Sequence, residues 1–278
     1  MTYTNMLTKN PRTTGAILFA SAAVLIAALS GCSSASAGTK PAAETKAAET
    51  VQTPAAGAPS VMWIGDSVAE NEAPALEAAL TAAGASFINQ SSAGGGTVVD
   101  SGGKVSEIAQ NSWKTVSGAI ETTKPDTVVY QITTYDWGTP EQQEASYQKL
   151  ADEAESVGAD LVIVSSPPVV IDEFYAPYAA EMATAPDSAR AVAEGSDGKV
   201  TFLDASALWG TDGTAKEAQR GKDGIHACQQ ASAAFASWFV TEFAKVSDLK
   251  PADPKTWATG EWTSADTYAT YDCPTSGK

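Results

Sequence analysis

Histidine is nearly absent from this chain of 278 residues: there is one, His226. One imidazole, three cysteines and no CxxC spacing leave too few nitrogen and sulfur ligands for the usual zinc sites, so no metal and no cofactor is expected. Basic residues are scarce too, 17 against 33 acids for a formal charge of −16, which disfavours nucleic acid as a partner. The apolar run Ala16 to Leu29 falls short of the about 20 residues that span a bilayer. Residues 33 to 59 contain no aromatic side chain and cannot bury enough surface to fold. No internal repeat is present, which excludes a repeat array.

What is there begins with an export signal. Lys9 and Arg12 precede the apolar run without any acid, and the run ends in Leu29-Ser30-Gly31-Cys32. A basic start, a short apolar stretch and small residues directly before Cys describe a bacterial lipoprotein signal, with Cys32 as the lipidated residue. The chain therefore reads as residues 1–32 signal, 33–58 flexible linker, 59–248 a folded domain and 249–278 an irregular extension tied back to it. Its expected place is the outer face of the cytoplasmic membrane, held by lipid in the cell envelope. Lipid on Cys32 leaves Cys228 and Cys273 as an even pair, and an oxidising compartment permits a disulfide between them. A reactive thiol is the alternative for either.

Between 59 and 248, short apolar runs alternate with helical patterns. Val61 to Ile64, Ser86 to Ile88, Asp126 to Ile132, Asp160 to Ser165 and Val200 to Leu203 read as strands. Helices are predicted over Ala73–Ala83, Val105–Ile120, Pro140–Val157, roughly Ala176–Ala193 and Ala227–Val246. Five strands separated by crossover helices predict an α/β fold, a three-layer α/β/α sandwich around a roughly five-stranded parallel sheet. In such sheets ligands bind beyond the carboxyl ends of the strands. Gly65-Asp66-Ser67, the loop around Gly94 and the turn Tyr135-Asp136 all fall there.

Ser67 follows a strand and opens a helix, which would expose its Oγ and aim its amide at a developing oxyanion. Asp66-Ser67 could equally be a plain helix cap. The sole imidazole lies in Asp223-Gly224-Ile225-His226, three residues after a carboxylate able to orient it, and it is the one candidate for a neutral-pH general base. A hydrogen-bonded structural histidine is the bland alternative. The acids Glu70, Glu72 and Glu77 read as a solvated helix face, and Trp209 and Tyr175 as either sugar-stacking or core aromatics.

Gly-Asp-Ser near the start and Asp-x-x-His near the end, in this order and spacing over roughly Ser60 to Lys245, resemble the SGNH (GDSL-like) hydrolase family. The resemblance implies the flavodoxin-like sandwich and a Ser67, His226, Asp223 triad. It also places oxyanion donors on the amides of Ser67 and Gly94, the latter in Asn89-Gln90-Ser91-Ser92-Ala93-Gly94. The third family block, usually GxND, falls on Thr133-Thr134-Tyr135-Asp136, where Tyr135 replaces the Asn donor and is itself a candidate donor. With Trp137 this block looks closer to the extracytoplasmic SGNH domains associated with membrane O-acyltransferases. Asp66, Asp136, Trp137 and Ser165 are expected to line the substrate pocket. The expected function is a serine esterase or O-acyltransferase acting on acyl esters, acetyl foremost, of a cell-envelope glycan or glycolipid. A membrane acyl-donor protein is a candidate partner. The alternative is a weakly active or inactive binding lipoprotein on the same fold.

Overall fold

The computed structural model describes residues 57–273, so the signal, Cys32 and all but the end of the linker lie outside the described residues. Five strands form one parallel sheet: β1 Ser60–Ile64, β2 Ser86–Asn89, β3 Thr127–Gln131, β4 Asp160–Val164 and β5 Val200–Leu203. Their spatial order is β2-β1-β3-β4-β5. The chain leaves β1 for one side and then crosses to the other, so the switch point lies between the carboxyl ends of β1 and β3, where open α/β sheets hold ligands.

Among the described residues seven α-helices surround or border the sheet: α1 Ser67–Ala82, α2 Ser106–Thr123, α3 Pro140–Ser156, α4 Ala179–Gly195, the single turn α5 Ser206–Trp209, α6 Gln229–Phe243 and the short α7 Asp266–Thr270. Strand alternation makes the three layers. Val61, Trp63, Val129, Val162 and Val164 face α1 and α6. Met62, Ile64, Val128, Tyr130, Leu161 and Ile163 point the other way, into α2, α3 and α4. Both faces are apolar, as a sheet covered twice requires. Trp63 is fully buried, with Phe235 and Phe239 of α6 at 5.9 and 5.8 Å and its indole N–H on the Ala69 carbonyl at 2.9 Å. The five expected strands are all present.

Helix starts differ from the sequence reading: α4 begins at Ala179, three residues after Ala176, behind a 3₁₀ turn over Ala176–Tyr178. α1 begins six residues before Ala73, because the Asp66 carboxylate accepts the Val68 amide and caps the helix directly behind β1. α6 begins at Gln229 rather than Ala227, since Ala227 is drawn into a bridge with Arg220 and Cys228 is extended. Beyond α6, Leu249 and Trp257 enter the core on the α1 and α6 face. A disulfide joins Cys228 to Cys273, closing a sequence separation of 45 residues. No helix among the described residues is long and apolar enough to cross a membrane.

Candidate active site

Ser67 stands where β1 turns into α1. The turn needs glycine at 65, since a Cβ there would lie 2.4 Å from the Ala69 side chain. Asp66 fixes the turn from inside. One carboxylate oxygen accepts the Val68 amide at 3.0 Å, the other the amide and hydroxyl of Thr134 at 2.8 and 2.7 Å. Burial pushes its carboxyl above the usual range, against the pull of the Thr134 and Val68 donors. The serine turn is thereby bolted to the turn that follows β3.

His226 arrives from the loop before α6. Its Nδ1 lies 2.6 Å from Asp223 Oδ2 and its Nε2 2.9 Å from Ser67 Oγ. The other Asp223 oxygen accepts the amides of Ile225 and His226, both at 3.0 Å, so one carboxylate shapes the turn and orients the ring. Partial burial raises the Asp223 pKa, but the His226 ring and these two amides outweigh it and hold the carboxyl below its ordinary value. Gly224, at φ +74°, lets the loop close against Val170, whose amide donates to the Gly224 carbonyl at 2.9 Å. Arg220 supports the loop through the Ile225 carbonyl at 3.1 Å. One neighbour has no counterpart in the sequence reading: Tyr271 stacks on the His226 ring, centroids 3.5 Å apart and planes 11° apart. Its only sequence signal is a place two residues before Cys273.

The loop after β2 brings Gly94 to the same edge of the sheet as an exposed turn residue. Ser92 donates its amide to the Gly65 carbonyl at 3.0 Å, and a Cβ on Gly96 would meet that carbonyl at 3.1 Å, so the loop runs close against the serine turn. Tyr135 packs its ring on this loop, within 3.2 Å of where a Gly95 Cβ would stand. Burial raises the Tyr135 pKa, and its ring stands edge-on to that of Tyr175, centroids 6.4 Å apart.

Of the residues expected to line a substrate pocket, Asp66, Asp136 and Ser165 are turned inward, and Trp137 borders a separate cavity with Gly102, Thr139 and Tyr178. Asp136 is fully buried, and three hydroxyls converge on one of its oxygens: Thr97 and Thr133 at 2.6 Å and Tyr130 at 2.7 Å. Tyr147 reaches the other at 2.7 Å. Asp136 is thus a hub joining the glycine loop, β3 and α3, and burial raises its pKa against these donors. Asp66 is consumed in the turn contacts above. Trp137 is buried, stacked on Tyr178 at 3.5 Å with its N–H on the Thr134 carbonyl. Ser165 is buried and accepts the Ala205 amide at 2.7 Å. Short polar side chains at strand ends serve here as internal braces.

Glu72 also departs from expectation. It does not belong to a solvated face: it is buried, accepts Gln131 Nε2 at 2.6 Å, and burial pushes its pKa up to about 7 despite the nearby Arg220 charge. Trp209 is core, with the Arg220 guanidinium 4.7 Å over its ring. A cavity of about 430 Å³ opens beside Gly94, lined among others by Asn89, Gln90, Ser92, Asn111 and Thr115, with no charged side chain.

The family profile described as SGNH domain (fused to AT3 domains) matches residues 31–221, ending just before Asp223. No curated protein matches the chain. Among solved structures, a putative acylhydrolase from Bacteroides fragilis aligns at TM-score 0.51 with 13% identity, over 70% of this chain and 91% of that one. A GDSL-like lipase from Bacteroides thetaiotaomicron also gives 0.51 at 13% identity, over 68% and 89%. A carbohydrate esterase family 3 protein from Talaromyces cellulolyticus gives 0.50 at 15% identity, over 69% and 100%. At these identities the likeness to solved structures is one of fold.

Proposed function

This chain belongs to the SGNH family, a family of serine hydrolases and acyltransferase-associated enzymes, and from that premise we propose that Ser67, His226 and Asp223 form the catalytic triad of an extracytoplasmic esterase or O-acyltransferase. The observation that carries the reading is the unbroken contact from Asp223 through both nitrogens of His226 to Ser67 Oγ, at 2.6 and 2.9 Å. Asp223 holds the proton on Nδ1, leaving Nε2 free to take the Ser67 proton as Oγ attacks the ester carbonyl. The tetrahedral anion collapses by expelling the alcohol, which takes the proton back from the imidazolium, and an acyl-serine remains. Water then releases an acid, or a sugar hydroxyl receives the acyl group.

The amides of Ser67 and Gly94 are the oxyanion donors in this scheme. Tyr135 stands in the place of the usual Asn, whose side-chain amide donor is therefore missing, and its ring packs on the glycine loop. Loss of one such donor typically costs about 3 kcal/mol in barrier, so slow intrinsic hydrolysis is expected. The altered third block and a family form fused to AT3 domains both favour transfer. The substrate class in this reading is a small acyl ester, acetyl foremost, of an envelope glycan or glycolipid. Residues 1–32 act as the signal with Cys32 lipidated, 33–58 as tether, 59–248 as the enzyme and 249–278 as an extension. The anchor keeps the enzyme at the outer face of the membrane, within reach of a membrane acyl-donor protein.

The test is intact-protein mass spectrometry after incubation with p-nitrophenyl acetate, with and without a glycan acceptor, beside steady-state rates for wild type and Ser67→Ala. Acetyl on Ser67 that turns over faster with acceptor is expected, as is a loss of about 10⁴-fold or more in Ser67→Ala. Equal rates for the two proteins would leave a binding lipoprotein as the surviving reading.

A further inference from the structure

The tail after α7 lies well past the end of the family match at residue 221, yet it supplies the group nearest the face of the histidine ring. On the reading that His226 is the general base, we infer that Tyr271 is a positioning residue of the same site, a ring held over His226 by the Cys228–Cys273 bridge.

Three observations converge on this arrangement. The phenol is stacked almost parallel on the imidazole, at 3.5 Å between centroids. The ring is partly buried there, and burial raises the phenol pKa. And the segment is fastened on both sides. Before Tyr271, Thr267 is buried and ties α7 to α1, accepting Asn71 Nδ2 at 3.3 Å and donating to Glu70 at 2.9 Å. After it, Asp272 pairs with Lys222 and Cys273 is bonded to Cys228, two residues beyond His226. The bridge therefore joins the strap to the histidine loop itself, not to a distant part of the core.

The physical consequence is differential. When Nε2 takes the Ser67 proton, the ring becomes a cation lying on an aromatic face, an arrangement that favours the charged form. The neutral ring gains little from the same contact apart from being held flat between Asp223 and Ser67. Removing the phenol ring should then lower kcat and leave KM unchanged, since nothing here touches the ester. Reducing the bridge should do the same, making the strap sensitive to thiols.

His226 is the only histidine, so its ring protons give a unique NMR signal that reads the stack without any activity. In wild type these resonances should lie upfield, in Tyr271→Phe they should remain there, and in Tyr271→Leu they should return to ordinary positions. In parallel, Tyr271→Leu and the Cys228→Ser/Cys273→Ser pair should lose about tenfold in kcat at constant KM, with Tyr271→Phe within about twofold of wild type. An unshifted wild-type signal overturns the inference even if Tyr271→Leu fails to fold. So does a Tyr271→Leu with wild-type kcat, or a Phe variant as impaired as Leu. Ser67→Ala in the same assay separates the two levels. If it is as active as wild type, the proposed triad fails while the NMR arm still reports the stack. If it is dead and Tyr271→Leu is unimpaired, only the present inference falls.

Discussion

Ser67 and His226 meet at 2.9 Å, but the walls that present them are held by different kinds of bond. The serine wall is braced by Asp66 and Asp136, two buried carboxylates whose acceptor sites are filled by amides and hydroxyls from β3, α3 and the glycine loop. A buried carboxylate with this many donors has one good arrangement, because any displacement strands a charge among unpaired hydroxyls. The histidine wall is nearer to water. Its ties are Asp223, partly exposed, one arginine contact to a carbonyl, a disulfide and a stacked tyrosine. Such a wall can be adjusted without collapse. Ser67 is set by the folding core, and His226 by a strap added outside it.

The largest expected effect tests the histidine wall where it is least replaceable. Asp223→Asn keeps an oxygen for the Ile225 and His226 amides but turns an NH₂ toward Nδ1, favouring the wrong tautomer. A fall of about 10⁴-fold in kcat is expected with the fold intact by circular dichroism. A small loss would show that Asp223 shapes the turn alone. Next in size, Asp136→Ala strands four hydroxyls in the serine wall and should cost about 4–5 kcal/mol of stability by urea titration. Asp136→Asn, which keeps one oxygen for three of the four donors, should cost clearly less. If the two variants unfold alike, the hub depends on charge and not on acceptor geometry.

Much of this architecture was legible in the chain itself. Five short apolar runs separated by helix-length segments dictate a twice-covered parallel sheet, and all five strands are where the runs lie. Asp223 and Ser67 each lie within hydrogen-bond reach of His226, a meeting that the family resemblance implied and that spacing suggested only for Asp223. The direction of Asp66, Asp136, Trp137 and Ser165 was not legible. A polar residue at a strand end reads the same whether it faces a ligand or the interior, and the partners that decide it are remote: Thr97 is 39 residues from Asp136 and Thr134 is 68 from Asp66. Glu72 was legible in principle. It lies three residues after Ala69 and four before Leu76, on the buried stripe of α1. Tyr271 carries no periodic signal at all, since a crosslink and not a packed helix face puts it in place.

The third effect separates the walls directly. With Cys228→Ser/Cys273→Ser, opening a loop of 45 residues should cost about 4 kcal/mol in the chain-entropy account. By hydrogen exchange, the amides of 221–228 and 266–273 should lose protection, while those of β1 and β3 keep theirs relative to the global stability. Uniform loss across the sheet would mean that the two walls unfold as one unit.

The smallest effect comes from Glu72, which lies between the walls: it hydrogen-bonds Gln131 on β3 and acts on Arg220 beneath the histidine loop. Its folded pKa of about 7 stands above the ordinary 4.5. For a raised carboxyl the sign is fixed. Below about pH 4.5 the group is neutral in both states and its contribution is fully present, and it is lost as pH rises through 7, when the folded chain must ionise a buried acid. The full swing is up to roughly 3 kcal/mol. Glu72→Gln stays neutral and keeps an oxygen for Gln131, so its melting temperature should gain on wild type by about 5–10 °C between pH 5 and pH 8. A gap that stays constant over this range would mean that Glu72 does not change its charge between pH 5 and pH 8.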